Sequence, residues 1–135
     1  MMTTTQTAID TLHEHKCSCV VLNNGELRVF NGPGISDLRR LLQTEPATLH
    51  ASFVADKAIG KAAAALLILG GVAAVYTDLI SDGAIELFSA ADIKISYAKR
   101  VPVILNRTQT DICPMERLCS EASAPEECLS LIHNL

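Results

Sequence analysis

Apolar positions along the chain change period several times, and each change marks an element. Ala8, Ile9 and Leu12 recur at helical spacing and predict a short amphipathic helix over Thr7 to His15. Cys17 to Leu22 and Glu26 to Phe30 then take on strand character, with Leu27 and Val29 on one face of the second strand and Arg28 on the other. Asn23-Asn24-Gly25 joins them. Asn-Gly supplies the positive φ angles of a type I′ turn, so the two strands form an antiparallel hairpin. Gly32-Pro33-Gly34 breaks the chain. Ile35, Leu38, Leu41 and Leu42 then form the apolar stripe of a helix that has Ser36 as N-cap and Asp37 in its first turn, and that ends before Pro46.

Leu49 to Ala55 reads as a third strand. Asp56 is placed to cap a long Ala-rich helix running to about Leu69, which Gly70 stops in the left-handed conformation. Val72 to Thr77 is an uncharged apolar run, the pattern of a strand buried on both faces. Asp82 to Ala90 predicts another helix. Ile93 to Tyr97 and Val101 to Leu105 carry strand character on either side of a Lys99-Arg100 break, and from Cys113 onward two short helices are split near Ala124-Pro125. There are no internal repeats, low-complexity tracts or linkers. This order predicts a single domain over 1–135, an α/β fold built as a three-layer α/β/α sandwich on a mixed sheet. The hairpin supplies an antiparallel edge and the later crossovers supply parallel strands. Ligands on such sheets bind beyond the carboxyl ends of the parallel strands.

Composition narrows the function classes. Of the 135 residues 49% are hydrophobic but only 4% aromatic, with no Trp, so the core is built from Ala, Leu, Ile and Val. A chain of this length buries roughly two-thirds of its unfolded surface and needs no disulfide staples. The net charge is −4 and no Lys/Arg run interleaves with aromatics, which argues against a nucleic-acid partner. Met1 to Asp10 has neither the basic nor the apolar region of a signal peptide. Ala62 to Thr77 is shorter than the ~20 residues a membrane span needs and is interrupted by Gly70-Gly71. No membrane partner is expected. Five cysteines, an odd count without an export pattern, imply reduced thiols and a cytoplasmic location.

Three constellations carry candidate chemistry. Asp56-Lys57 with Gly60-Lys61 opens the long helix, where free N–H groups, the helix dipole and two lysines attract an anion and Asp56 can accept a proton. The same residues also read as a cap, a packing glycine and solvated lysines. Cys113-Pro114-Met115-Glu116 resembles a helix start with the thiol at the cap, where a thiolate is favoured, although Pro and Glu are also ordinary capping residues. Asn106-Arg107-Thr108-Gln109-Thr110 is a polar loop able to grip a phosphate or carboxylate, or an ordinary solvated connection. Cys17 and Cys19 share a strand face as small hydrophobes. His13, His15, His50 and His133 do not cluster with acids or cysteines at ligand spacing. No metal and no cofactor is expected.

Leu22-Asn23-Asn24-Gly25, the run from Ala55 to Ala64, Asn106-Arg107-Thr108 and Cys113-Pro114-Met115-Glu116 together resemble the uncharacterised domain-of-unknown-function family numbered eighteen ninety-three. The likeness spans Cys17 to Leu118. It implies a fold like that of cytidine deaminases and attaches no activity. Zinc deaminases need a His or Cys ligand followed by Ala-Glu, and a Pro-Cys-x-x-Cys at a second helix start. Here His50-Ala51 is followed by Ser52, the only Cys-Pro pair is reversed, and Cys119 lies six positions after Cys113. On this alignment Gly32-Pro33-Gly34 and Asp56-Lys57 take the places of the zinc ligands.

The leading expectation is a deaminase-like domain without catalytic zinc that binds a small anionic or nucleotide-like ligand. Asp56, Cys113 and Glu116 are the catalytic candidates. Asp56, Lys57, Gly60, Lys61, Asn106, Arg107 and Thr108 are the binding candidates. The alternative is a structural or regulatory module that works through protein association, and a homo-oligomer is compatible with either.

Overall fold

The computed structural model describes residues 4–106 and 108–133. Helix α1 (Thr5–Glu14) is capped by Thr4, whose hydroxyl accepts from the Thr7 N–H at 3.2 Å while Thr7 reaches back to the Thr4 N–H. The hairpin strands β1 (Cys19–Asn23) and β2 (Glu26–Phe30) meet at Asn24 and Gly25, with φ of 52° and 79°. Helix α2 (Ser36–Thr44) follows, then a one-turn helix α3 (Pro46–Leu49). The chain continues through β3 (Phe53–Ile59), α4 (Lys61–Leu69), β4 (Ala74–Ser81), α5 (Asp82–Ser89), β5 (Lys94–Val101), α6 (Pro114–Cys119) and α7 (Pro125–His133).

The five strands form one mixed sheet in the order β2-β1-β3-β4-β5. β1 pairs antiparallel with β2 and β3, whereas β3–β4 and β4–β5 are parallel. Side chains alternate across a strand, so the successive residues Val20 and Val21 point to opposite faces and enter separate hydrophobic clusters. On one face α1 lays Ala8 and Leu12 against Val20 and Ala55. On the other, α4 is buried from Lys61 to Leu67 and packs against α2, α5, α6 and α7. A helix apolar on all sides belongs in such a central position.

Several elements differ from the sequence expectation. Asp56 does not cap a helix. It lies within β3, which continues to Ile59, and α4 begins at Lys61 with Gly60 as its cap residue. Pairing with β1 and β4 on both sides satisfies the backbone of this segment despite its weak strand formers Ala, Asp and Lys. Ser36 is likewise the first helical residue of α2, and the cap position falls on Ile35, which makes no side-chain cap bond. Gly70 has a right-handed φ of −73°, and Gly71 takes the left-handed turn at 73°. The Lys99-Arg100 pair does not split a strand: β5 runs through it, because an exposed edge strand keeps both charges in water. Residues 102–105 are instead a loop that meets Ile112 through a single bridge at Leu105.

Candidate functional site

The carboxyl end of β3 is the natural place for a ligand on an open α/β sheet. A cavity of about 250 Å³ lies there. Asp56 and Ala58 of β3, Gly60, Ala62 and Ala63 at the start of α4, and Gly34 and Ile35 at the start of α2 line it. Ile104, Cys113, Met115 and Glu116 close it from the carboxyl-terminal segment. Asp56, Gly60, Cys113 and Glu116, far apart in sequence, therefore meet at one concavity.

The two acids in this wall have unlike surroundings. Glu116 is 7% exposed, and both of its oxygens accept backbone bonds. Oε1 takes the Lys61 N–H at 2.6 Å and Oε2 the Ile104 N–H at 2.9 Å. The amino end of α4 is the anion-attracting position anticipated for an external ligand, and the chain's own carboxylate fills it. Gly60 permits the approach, since a Cβ there would sit 2.7 Å from Glu116 Oε1. Asp56 faces Cys19 directly across the β1–β3 ladder. Its Oδ1 accepts the Ala58 N–H at a longer 3.3 Å. Burial is the main cause that pushes its carboxyl up to about 7, with backbone N–H groups of Ala58 and Lys57 pulling the other way and the charge of Asp78 adding to the rise. The Cys19 thiol is raised as well, first by its own burial and then by the Asp56 charge.

The lysines do not point at this cavity. Lys61 is buried and its Nζ donates to the Ser120 carbonyl at 3.1 Å. Lys57, next to Asp56 on the strand, lines a separate groove with Lys16. Asn106 is also spent internally: its Oδ1 accepts the Thr110 N–H at 3.0 Å and the Thr108 hydroxyl at 3.2 Å. Asn106 borders a different, largely apolar concavity with Val103 and Leu105. Arg107 lies outside the described residues. Cys113 is the half-buried cysteine, whereas Cys17, Cys19, Cys119 and Cys128 are buried.

The comparisons with known proteins agree with this architecture. The family model described as a domain of unknown function (DUF1893) matches residues 7–135. The chain belongs to the DUF1893 family. A crystal structure of a DUF1893 family protein from Thermotoga maritima is 23% identical, with a TM-score of 0.86, covering 96% of this chain and 87% of that one. At that identity the likeness concerns the fold. No curated protein matches the chain. The family membership therefore brings no ligand or reaction to this DUF1893 domain, and its site rests on its own residues. Among the described residues no group of three or more His, Cys, Asp or Glu side chains is placed to hold a metal ion, and no helix is long and apolar enough to cross a membrane.

Sequence reasoning missed Ile35, Ala62, Ala63 and Ile104, which give the cavity its apolar walls. Helical spacing could have put Ala62 and Ala63 at the first turn of α4. Nothing in the sequence signals that Ile104 turns toward them.

Proposed function

We propose that this chain is a deaminase-like, three-layer α/β/α domain that binds a small nucleobase-like ligand in the cavity between β3, α2, α4 and α6. The convergence of Asp56, Cys113 and Glu116 on that one cavity carries the reading. The strand order and the helices on both sheet faces support the deaminase-like arrangement.

The residues present do not fit a deaminase zinc. The helix starts beside the cavity carry Gly34-Ile35 and Gly60-Lys61, Cys113 is a single thiol there, and His50 stands against Gly71 at the other end of α4. The ligand instead meets apolar walls and two carboxyl groups. A volume of about 250 Å³ falls just below the ~300–1,000 Å³ of drug-sized sites and suits a single ring system. No Lys or Arg is among its described lining residues, so the part bound here is not anionic. Asp56, with a carboxyl near 7, exchanges between donor and acceptor at neutral pH, which matches the mixed donor–acceptor edge of a nucleobase. The second reading, association through the β5 edge, draws on the exposure of Tyr97, Val103 and Leu105.

Alkylation of Cys113 by limiting iodoacetamide reads the cavity directly. Saturating uridine, cytidine, adenosine or guanosine should slow labelling of Cys113 in the full chain. Filling the cavity by Ala63→Leu should remove that protection. If none of the four nucleosides changes the labelling rate, or if protection survives Ala63→Leu, the proposal is wrong.

A further inference from the structure

A second concavity of about 580 Å³ adjoins the cavity and shares Gly34 with it. Lys16, from the segment entering β1, and Lys57, near the end of β3, both line it, together with Asn31 and the Gly32–Gly34 turn. Its floor is held by a set of bonds. The Ser18 hydroxyl donates to the Phe30 and Gly32 carbonyls at 3.0 and 3.2 Å, and the Lys57 N–H donates to the Ser18 carbonyl at 3.2 Å. The Gly32 N–H donates to Asp37 Oδ2 at 2.7 Å, and Arg40 holds the other Asp37 oxygen at 3.1 Å, which offsets the Asp37 charge. Both lysines are exposed, and among the described residues neither forms a salt bridge, although Arg28, Arg40, Arg100 and Arg117 all do. In a chain of net charge −4, two lysines without an acidic partner lining one groove form a local site for an anion.

Asp56 and Lys57 are consecutive on β3, so strand alternation sends the carboxyl to the cavity and the ammonium to the groove on either side of one strand end. We infer that the groove is the phosphate subsite of the ligand whose base occupies the cavity, making that ligand a nucleoside 5′-monophosphate. This rests on the cavity reading above. The base contributes shape and hydrogen bonding to Asp56. The phosphate lies between Lys16 and Lys57 over the Gly32–Gly34 turn and contributes charge.

Calorimetric titration of the full chain with each ribonucleoside and its 5′-monophosphate, at low salt, tests the assignment. The monophosphate should bind about tenfold tighter than the nucleoside, the scale of one charge-assisted contact pair. The Lys16→Ala/Lys57→Ala variant should bring the monophosphate to the nucleoside's affinity and leave the nucleoside unchanged, while Lys16→Arg/Lys57→Arg should keep the gain. Equal binding of nucleoside and monophosphate, or a gain that persists in the double-alanine variant, overturns the phosphate subsite and leaves the cavity reading intact if Ala63→Leu still abolishes nucleoside binding. Lysine-dependent binding of the monophosphates that ignores the base and survives Ala63→Leu overturns both, since the groove would then hold anions alone. Absence of binding by either class of probe also overturns both.

Discussion

Glu116 and Asp56 border the same cavity, one from α6 and the other from β3. On α6, the Glu116 carboxylate has a backbone N–H on each oxygen, at 2.6 and 2.9 Å. On β3, the Asp56 carboxylate makes a longer 3.3 Å bond within its own strand and is raised to about 7, chiefly by burial. The first arrangement ties three segments together: the start of α4, the loop at Ile104 and α6. The second leaves a carboxyl whose proton is available near neutral pH. An acid in a pocket wall is therefore identified as pin or as participant by its partners, since a place in the wall is shared by both.

Removing the pin should have the largest effect. Glu116→Ala strands two amide donors, and with a penalty of about 1–3 kcal/mol for each unpaired donor the protein should lose about 2–6 kcal/mol of stability. Urea unfolding measures this. A loss below about 1 kcal/mol would show that water replaces the carboxylate and would dissolve the contrast.

Asp56→Asn should act in the opposite direction. The folded-state value of about 7 exceeds the ordinary 3.8, so between those values the folded protein keeps a proton that the unfolded chain has released. The contribution is full below about pH 4 and is lost as pH rises toward 7, at up to about 1.4 kcal/mol per pH unit. Asn mimics the protonated side chain and does not titrate. The variant should therefore be more stable than the parent at pH 8, by up to about 4 kcal/mol, with the difference vanishing near pH 4. Unfolding curves at several pH values that stay parallel for the two proteins would place the Asp56 carboxyl in its ordinary range.

The smallest effect is expected from the far face of the sheet. Asp78 Oδ1 accepts the Tyr76 hydroxyl at 2.7 Å and meets His13 Nε2 at 2.7 Å; the bond to Asp78, with burial and the Asp78 charge, raises the Tyr76 phenol to about 12. Asp78→Asn should change stability by no more than about 1 kcal/mol, as for other partly exposed pairs. In an ultraviolet titration the Tyr76 phenol should fall toward its ordinary 10.0. The Asp56 midpoint should also fall slightly, because the Asp78 charge contributes to its rise. An unmoved Asp56 midpoint would confine the cause to burial and backbone bonding.

What could be read in the sequence follows the range of the interaction involved. The hairpin was legible because Asn24 and Gly25 encode their own backbone angles, and the start of α6 because Cys113-Pro114-Met115-Glu116 is a local pattern. Asp56 was misplaced because no local signal separates the end of β3 from the start of α4. The run from Ala55 to Leu69 favours helix, and only pairing with β1 and β4 draws its first five residues into the sheet. The α3 turn was missed since Pro46 reads equally as a stop and as a first helical residue. Cys113 and Glu116 were picked out for their own helix, yet Glu116 serves α4, a relation no spacing rule contains.

That relation also orders events in time. The bond from Lys61 to Glu116 spans 55 residues. During synthesis from the amino end, β1, β2, β3 and α4 leave the ribosome well before the carboxylate that closes the first turn of α4. Domains commonly begin to fold as they emerge, so the nascent sheet should pass through a stage in which this helix start is open to solvent and the cavity lacks its carboxyl-terminal wall. The site would then be among the last parts of the protein to be completed, and a nascent chain stalled before Glu116 would hold most of the fold's strands without its pocket.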